Sequence, residues 1–301
     1  MTSVLVTGAT GPLGRAVISQ MTELGGYSIS AAARHTEKQP YLMIPCDVRD
    51  RERVEAALER AKPELVLHLA ATTSANDLDE AYKMNVAPAQ YILEFVLNRE
   101  LATRVLLIGS AAEYGIVLPE ENPISENRVL RPVSLYGVSK AWQTDLLGLY
   151  RSRGVDVLCA RIFNLWGPGI SDRLFAGRLQ NQIEDVLANR KTTIELGSLS
   201  AVRDYISVEE AATKLLSVAT YGKSGEVYHI ASGVPITMRD LTIRALNACG
   251  LDFSIVREAP NLSNRVGYDV PVIYANINKT NNLSLPIAPS TPHPVESRTP
   301  P

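Results

Sequence analysis

A tyrosine and a lysine four residues apart, Tyr136 and Lys140, are the first pair whose types could do chemistry together. In a helix this spacing places the phenol and the ammonium on one face. An ammonium near a phenol stabilises the phenolate and lowers the tyrosine pKa from about 10, which suits a general acid or base. The same spacing is common on solvated helix faces, so the assignment depends on the residues around it.

Ser110 supplies a third polar group. It follows Ile108 and Gly109 at the end of a short apolar run that is typical of a buried parallel strand. In open α/β sheets ligands bind beyond the carboxyl ends of the strands, where this hydroxyl would meet the same substrate oxygen as the Tyr136 phenol. We therefore predict that Ser110, Tyr136 and Lys140 are catalytic residues.

A glycine-rich turn near the N-terminus predicts a dinucleotide site. The run Gly-Ala-Thr-Gly-Pro-Leu-Gly at 8–14 stands between the first predicted strand and the first predicted helix. Glycines at this turn let the backbone approach a pyrophosphate, which binds the N–H groups at the start of the helix. The cofactor-binding residues predicted in the turn are Gly8, Thr10, Gly11, Pro12, Leu13 and Gly14.

The end of the second predicted strand bears on which dinucleotide is bound. NAD-preferring folds carry an acidic residue there for the ribose 2′-hydroxyl. Here Arg34 follows three alanines, and a guanidinium pairs well with a 2′-phosphate, so the sequence favours NADP(H) over NAD(H). Asp47 and Val48, after the third predicted strand, are placed to meet the adenine, although Asp47 could instead cap the helix that begins near Asp50.

Composition narrows the class of protein. A chain of 301 residues with 46% hydrophobic content can form one large core, and a net charge of −2 gives no indication of a nucleic-acid or membrane-surface partner. No apolar run reaches the roughly 20 residues of a membrane span, and no basic segment typical of a signal peptide precedes the first strand. Three cysteines and four scattered histidines favour reduced thiols, a cytoplasmic location and no metal site.

Strand-like and helix-like segments alternate, which predicts an α/β fold: a Rossmann-type doubly wound parallel sheet with a smaller C-terminal substrate lobe. The predicted strands are 3–6, 27–33, 41–45, 65–69, 104–108, 155–160, 193–196 and 227–230, and the predicted helices are 12–24, 51–61, 78–97, 135–150, 175–187 and 237–248. The dinucleotide-binding domain is expected over 1–165, with some later segments returning to it. The substrate lobe is expected mainly over 166–284, and a flexible proline-rich tail over 285–301.

Several longer segments carry a resemblance to a known family. They are PELVLHLAA at 63–71, NV at 85–86, GSAAEYG at 109–115, LRPVSLYGVSK at 130–140, RIFNLWGPG at 161–169 and LGSLSAVRDY at 196–205. The chain resembles the extended short-chain dehydrogenases/reductases that act on nucleotide-diphosphate sugars. Within them it is most similar to GDP-6-deoxy-4-keto-mannose reductases, with GDP-mannose dehydratases as nearest relatives. The chain departs from the family's pattern in two places. Ser198 stands where an asparagine is usual, and after Lys279 other residues stand where the family has a Gly-Trp-x-Pro segment and a closing helix.

The resemblance implies further site residues. For the cofactor it implies Leu69, Ala70, Ala71 and Phe163, together with Tyr136 and Lys140, whose ammonium would also hold the nicotinamide ribose. For the substrate it implies Thr72, Ser110, Ala111, Ala112, Asn164, Arg203 and Arg265, the two arginines serving the diphosphate. It also implies a homodimer formed through the helices predicted at 78–97 and 135–150.

The residues after Ser110 bear on the reaction. Dehydratases that resemble this chain have an acidic residue there to remove a carbon-bound proton, and epimerase-reductases have a cysteine two residues on. Here both positions are alanine, Ala111 and Ala112, and Glu113 is expected to point elsewhere from an extended turn. This favours an NADPH-dependent reductase of a nucleotide-diphosphate 4-keto-6-deoxy sugar, GDP-linked by preference, with hydride going to C4 and Tyr136 donating the proton.

Other functions stay open at this point. An NAD-dependent nucleotide-sugar 4-epimerase would use the same three residues, and Arg34 counts only mildly against it. A dehydratase, an NADP(H)-binding regulator without turnover and a structural scaffold are less favoured, since regulators usually lose the tyrosine or the lysine. The sequence does not specify the nucleotide, the choice of hexose or heptose, or the stereochemistry at C4.

Overall fold

The structure is a computed structural model that describes residues 1–259 and 270–283. Its strands are β1 (Thr2–Thr7), β2 (Tyr27–Ala33), β3 (Leu42–Pro45), β4 (Leu65–His68), β5 (Arg104–Ser110), β6 (Val157–Ile162), β7 (Asn164–Trp166), β8 (Ile194–Leu196), β9 (Val202–Ser207), β10 (Val227–Ile230), β11 (Pro235–Thr237) and β12 (Val256–Glu258). Its helices are α1 (Pro12–Leu24), α2 (Arg51–Ala61), α3 (Leu78–Asn85), α4 (Ala87–Asn98), α5 (Leu135–Arg151), α6 (Phe175–Leu187), α7 (Val208–Tyr221), α8 (Met238–Asn247) and α9 (Asn278–Asn281), with 3₁₀ turns at Ala111–Glu113, Pro119–Glu121 and Phe253–Ile255.

Seven strands form one parallel sheet in the order β10-β6-β5-β4-β1-β2-β3. The central strands β4 and β6 are buried along their whole length, as expected where helices cover both faces of a parallel sheet. One face packs against α1 and α7, and the other against α2, α4 and α5. The predicted Rossmann-type α/β fold is therefore confirmed, and the carboxyl ends of β1, β4 and β5 meet at one edge.

The prediction of one continuous helix over 78–97 is wrong. The structure has two helices there, α3 and α4, which meet at Val86. Pro88 stands near the start of α4 and has no N–H to continue the hydrogen bonds of α3. The side chain of Asn85, the last residue of α3, turns instead to the loop after β4, where it accepts a hydrogen bond from the Thr72 backbone at 2.8 Å. The break thus places Asn85 beside the predicted site.

Strand β9 and helix α7 were not predicted. Ser207 caps α7 by accepting a hydrogen bond from the Glu210 backbone at 3.0 Å. A serine followed three residues later by glutamate before an apolar run is typical of a helix start, so the signal was present in the sequence. Helix α7 packs on α1, and β10 then joins the main sheet as its last strand.

The remaining elements form a second, smaller core. Strands β11, β9 and β7 make a three-stranded sheet, and β12 pairs with β8. Helices α6 and α8 pack over a cluster that includes Trp166, Leu179, Tyr205 and Leu241. Strand β6 leads through Phe163 directly into β7, so the second core begins at the carboxyl end of β6 in the main sheet. The tail predicted over 285–301 lies outside the described residues.

Candidate active site

The glycine turn lies where β1 passes into α1, against the segment that follows β4. Gly8 has a φ of +68°, and a Cβ atom there would come within 2.7 Å of the Ala70 nitrogen. Only glycine allows this approach, which brings the turn beside Leu69 and Ala70. Among the described residues no side chain hydrogen-bonds to the first turn of α1, which begins with Pro12. A close backbone turn at a helix start, without a side-chain cap, fits the pyrophosphate of a dinucleotide.

The residues predicted for the adenosine end lie beyond β2 and β3. Arg34 is exposed directly after β2 and is close enough to Asp47 to influence that carboxylate. The Asp47 carboxylate accepts hydrogen bonds from Arg49 Nε at 2.9 and 3.1 Å, and this pairing contributes most to lowering the pKa of Asp47 to about 2. The cap of α2 is made by Asp50, which accepts from the Arg53 backbone, so Asp47 does not cap that helix.

The end of β5 presents Ser110 at the start of a 3₁₀ turn. The Ser110 hydroxyl accepts a hydrogen bond from the Ala112 backbone at 3.2 Å, and the turn contains both Ala111 and Ala112. The tight turn differs from the extended one that was expected. It directs Glu113 back into the protein, where the side chain is fully buried.

Tyr136 stands in the first turn of α5, which Ser134 caps by accepting a hydrogen bond from the Gly137 backbone at 3.0 Å. The phenol is partly buried, and the Ser110 side chain lies near enough to influence it. Burial raises the pKa of Tyr136 to about 12, with the Ser110 hydroxyl acting in the opposite direction. The predicted lowering of this pKa by Lys140 is not found, because the groups that influence the phenol do not include Lys140, whose ammonium bonds to Gln143.

Lys140 lies one turn further along α5 and is buried. Its Nζ donates a hydrogen bond to Gln143 Oε1 at 2.6 Å, and Gln143 Nε2 donates to the backbone oxygen of Ile108 at 3.2 Å. Burial lowers the pKa of Lys140 to about 8, although the charge of Glu113 opposes this. Gln143, which the sequence reasoning missed, thus anchors the lysine to β5.

A second group of missed residues supports the same site from α3. Asn85 Nδ2 donates hydrogen bonds to the Thr72 backbone oxygen at 3.0 Å and to Ser139 Oγ at 2.9 Å. The Ser139 hydroxyl in turn donates to the Tyr136 backbone oxygen at 2.9 Å. These bonds tie the loop after β4, including the predicted substrate residue Thr72, to the first turn of α5.

The predicted substrate residues of the second core lie along β7 and β9. Asn164 Nδ2 donates to the Asp204 backbone oxygen at 2.9 Å, and the buried Arg203 donates through Nη1 to the Val202 backbone oxygen at 2.9 Å. Phe163 is buried, with its ring 5.2 Å from the His229 ring. Arg265 lies outside the described residues.

Two structural findings concern other classes of site. Within residues 1–259 and 270–283, no group of three or more His, Cys, Asp or Glu side chains is placed to hold a metal ion. In the same part of the chain, no helix combines the length and apolar character needed to cross a membrane.

Comparison with known proteins completes this description. The sequence model that defines the NAD dependent epimerase/dehydratase family matches residues 4–231 of this chain. The matched residues contain the glycine turn, Ser110, Tyr136 and Lys140. The chain belongs to this family. The resemblance to extended short-chain dehydrogenases/reductases is thereby confirmed, and so is the prediction of an NAD(P)-dependent oxidoreductase.

Relatives within the family have several activities. The chain is 28% identical over 235 residues to the GDP-6-deoxy-D-talose 4-dehydrogenase of Aggregatibacter actinomycetemcomitans, covering 77% of this chain and 74% of the relative. It is 28% identical over 239 residues to the GDP-6-deoxy-D-mannose reductase of Pseudomonas aeruginosa, covering 75% and 77%.

Solved structures share the fold. RMD from P. aeruginosa complexed with NADPH aligns with a TM-score of 0.79 and 21% identity, covering 94% of this chain and 92% of that one. The dTDP-glucose 4,6-dehydratase of Bacillus anthracis in complex with NAD aligns with a TM-score of 0.82 and 20% identity, covering 94% and 90%. Proteins with different names thus share this fold, and a fold alone does not identify the reaction.

Proposed function

We propose that the chain is an NADPH-dependent reductase of a nucleotide-diphosphate 4-keto-6-deoxy sugar, with a GDP-linked sugar as the favoured substrate. The main support for this proposal comes from the residues that form the 3₁₀ turn after Ser110. Ala111 and Ala112 occupy the turn after Ser110 and offer no group that can remove a carbon-bound proton. Ser110, Tyr136 and Lys140 suffice for one hydride transfer coupled to one proton transfer.

Glu113 does not replace the missing base. Its Oε1 accepts a hydrogen bond from the Ser110 backbone at 2.6 Å, and its Oε2 is bound by Thr144 and Arg161. The side chain is fully buried, and both carboxylate oxygens already have partners within the protein. Among the described residues around Tyr136, we therefore assign groups for a reduction and none for eliminating water.

In this proposal each side chain has one role. Tyr136 holds its proton at neutral pH, since its pKa is about 12, and donates it to the substrate oxygen as negative charge develops there. Ser110 donates a hydrogen bond to the same oxygen, and Lys140 binds the nicotinamide ribose. The nicotinamide supplies the hydride when bound.

Substrate binding is proposed at the adjoining second core. We assign the diphosphate to Arg203 and Arg265, and the sugar or its phosphate to Asn164 and Thr72. Support for a GDP-linked sugar comes from the two relatives that are named as a dehydrogenase and a reductase of GDP-6-deoxy sugars. A homodimer through α3, α4 and α5 belongs to the same proposal, since α5 exposes apolar residues seven positions apart, Leu135, Trp142 and Leu149.

Cofactor preference is proposed to depend on Arg34. Charge-assisted hydrogen bonds contribute about 1.5–3 kcal/mol, or about 10–100-fold in affinity, so Arg34→Ser should weaken NADPH binding by that factor and leave NADH binding nearly unchanged. Nicotinamide fluorescence titrations with both cofactors measure the change. The matched control is Arg60→Ser, which removes an exposed arginine of α2. Equal losses for NADPH and NADH in the Arg34 variant would contradict the assignment.

The reaction is tested by incubating the protein with NADPH and a GDP-linked 4-keto-6-deoxyhexose. We expect the near-ultraviolet absorbance of NADPH to fall in proportion to the sugar reduced. A 4-epimerase would instead interconvert two 4-hydroxy sugar nucleotides with NAD and would consume no NADPH. Tight NADPH binding without turnover of any nucleotide-linked keto sugar would refute the proposed reductase.

A further inference from the structure

A buried ion pair lies directly beneath the proposed catalytic residues. The Glu113 carboxylate and the Arg161 guanidinium of β6 are both buried, with Arg161 Nη2 at 2.8 Å and Nε at 2.9 Å from Glu113 Oε2. Thr144 of α5 donates to the same oxygen at 2.9 Å. A charged pair without water contact is costly unless its remaining hydrogen bonds are satisfied, as they are here. Its position suggests a role beyond stability.

The first contact of this pair is with the end of β5. Ser110 N donates to Glu113 Oε1 at 2.6 Å, which fixes the peptide from which the Ser110 hydroxyl projects. The carboxylate packs so closely against the strand that a Cβ atom at Gly109 would lie 2.6 Å from Oε1. Glu113 thus sets the position of Ser110 through the backbone.

The second effect of the pair is electrostatic and concerns Lys140. The titratable groups that influence Lys140 or respond to it are Glu113 from the 3₁₀ turn, Cys159 from β6 and His68 from β4. His68 is neutral, because burial lowers its pKa to about 3, and the Cys159 thiol is neutral, because burial raises its pKa to about 11. Glu113 and Lys140 both bond to the end of β5, the carboxylate to Ser110 N and the ammonium through Gln143 to the Ile108 oxygen. Glu113 is therefore an acidic side chain placed to offset the burial of the ammonium.

Arg161 is itself held on its far side. Its Nη1 donates to the Tyr114 hydroxyl at 2.7 Å, and that hydroxyl lies 2.5 Å from His229 Nε2. His229 Nδ1 is 2.9 Å from the Asn276 backbone oxygen, which makes Nδ1 the donor and Nε2 the acceptor. The Glu126 carboxylate also lies on this side, 3.8 Å from His229 Nδ1, while Glu113 is the carboxylate that contacts the guanidinium directly.

We propose that Glu113 is a positioning residue with two roles: it fixes the Ser110 backbone, and it places a buried carboxylate near the Lys140 ammonium. The proposal rests on the proposed roles of Ser110 and Lys140 in the reductase reaction. No bond to substrate is assigned to Glu113, and Arg161 holds its carboxylate in place.

Two variants separate the two roles. Glu113→Gln combined with Arg161→Met removes both charges, while the glutamine oxygen can still accept from Ser110 N and its amide can donate to Thr144. Glu113→Asp keeps the charge but shortens the side chain, so the hydrogen bond to Ser110 N is lost. As a control, Glu210→Gln combined with Lys214→Met removes another ion pair, on α7, in which the buried Lys214 and the partly buried Glu210 are 3.3 Å apart.

The test measures Lys140 and Ser110 directly by NMR of the protein without substrate. A ¹³C-lysine titration, assigned by the resonance lost in Lys140→Met, reports the lysine pKa, and amide exchange reports the Ser110 hydrogen bond. We expect the Lys140 midpoint to fall by about one pH unit or more in the doubly neutral variant, with Ser110 exchange unchanged. We expect the midpoint to stay in place and Ser110 exchange to rise about tenfold in Glu113→Asp. The control should change neither.

An unchanged or higher Lys140 midpoint in the doubly neutral variant would overturn the electrostatic role. Unchanged Ser110 exchange in Glu113→Asp would overturn the positioning role. Both readouts are independent of turnover, so a failure of the proposed reductase reaction would be recognised separately, by the keto-sugar assay.

Discussion

Tyr136→Phe is expected to reduce the rate of NADPH-dependent ketone reduction by about 10²–10⁴-fold, the range typical of losing a general acid. The variant removes one hydroxyl, which the Ser110 side chain influences and which holds the proton that the substrate oxygen must receive. The glycine turn and the α1 N-terminus are unchanged, so NADPH affinity should stay within about twofold of the original protein, well below the tenfold change that 1.4 kcal/mol would produce. Steady-state kinetics and fluorescence titration measure the two quantities.

The matched control for this variant is Tyr150→Phe. Tyr150 lies on the same helix, and its hydroxyl contacts Glu94 at 3.4 Å, away from Ser110. It should leave turnover unchanged. Comparable activity of the Tyr136→Phe variant and the original protein would show that another group donates the proton, and the assignment of Tyr136 would be withdrawn.

Arg161→Met alone is expected to lower the free energy of unfolding by about 3–5 kcal/mol, because it leaves the Glu113 carboxylate buried without its partner. Combining it with Glu113→Gln should restore most of that loss, since a buried pair replaced as a whole is close to neutral in stability. Urea unfolding followed by circular dichroism measures the free energies of unfolding of four proteins: the original, Arg161→Met, Glu113→Gln and the double variant. The non-additivity is the diagnostic quantity, because two independent sites would show summed losses.

An exposed pair provides the comparison. Lys83 and Asp79 lie 2.6 Å apart on the surface of α3, where water screens their interaction. Lys83→Met should leave the unfolding transition in place. If Arg161→Met also left the unfolding transition in place, the stability of the protein would not depend on pairing the buried Glu113 carboxylate with Arg161.

Local patterns made the main parts of the site predictable. The glycine turn at 8–14, the serine after a buried strand and the Tyr-x-x-x-Lys spacing each depend on residues close together in the chain. A parallel sheet then brings such segments to one edge whatever their separation in sequence. The helices with simple apolar spacing, such as α1, α2 and α6, have the predicted bounds for the same reason.

Properties that depend on burial were not predictable from spacing. The tyrosine–lysine pair suggested a lowered tyrosine pKa, but the buried surroundings raise the pKa of Tyr136 to about 12 while Lys140 bonds to Gln143. Glu113 was expected in an extended turn, and the structure has a 3₁₀ turn, which directs its side chain to Arg161, 48 residues further on. Such contacts arise only when the 3₁₀ turn, β6 and α5 are packed together.

In the proposed reaction, hydride passes to C4 of a keto sugar with no elimination of water. Deuterium labelling tests this: the protein is incubated with NADPH deuterated at the transferable position and a GDP-linked 4-keto-6-deoxyhexose, and deuterium in the product is located by mass spectrometry and NMR. We expect one deuterium at C4 for each NADPH consumed and no label elsewhere on the sugar. A product without deuterium at C4, or no consumption of NADPH, would refute the proposed reaction.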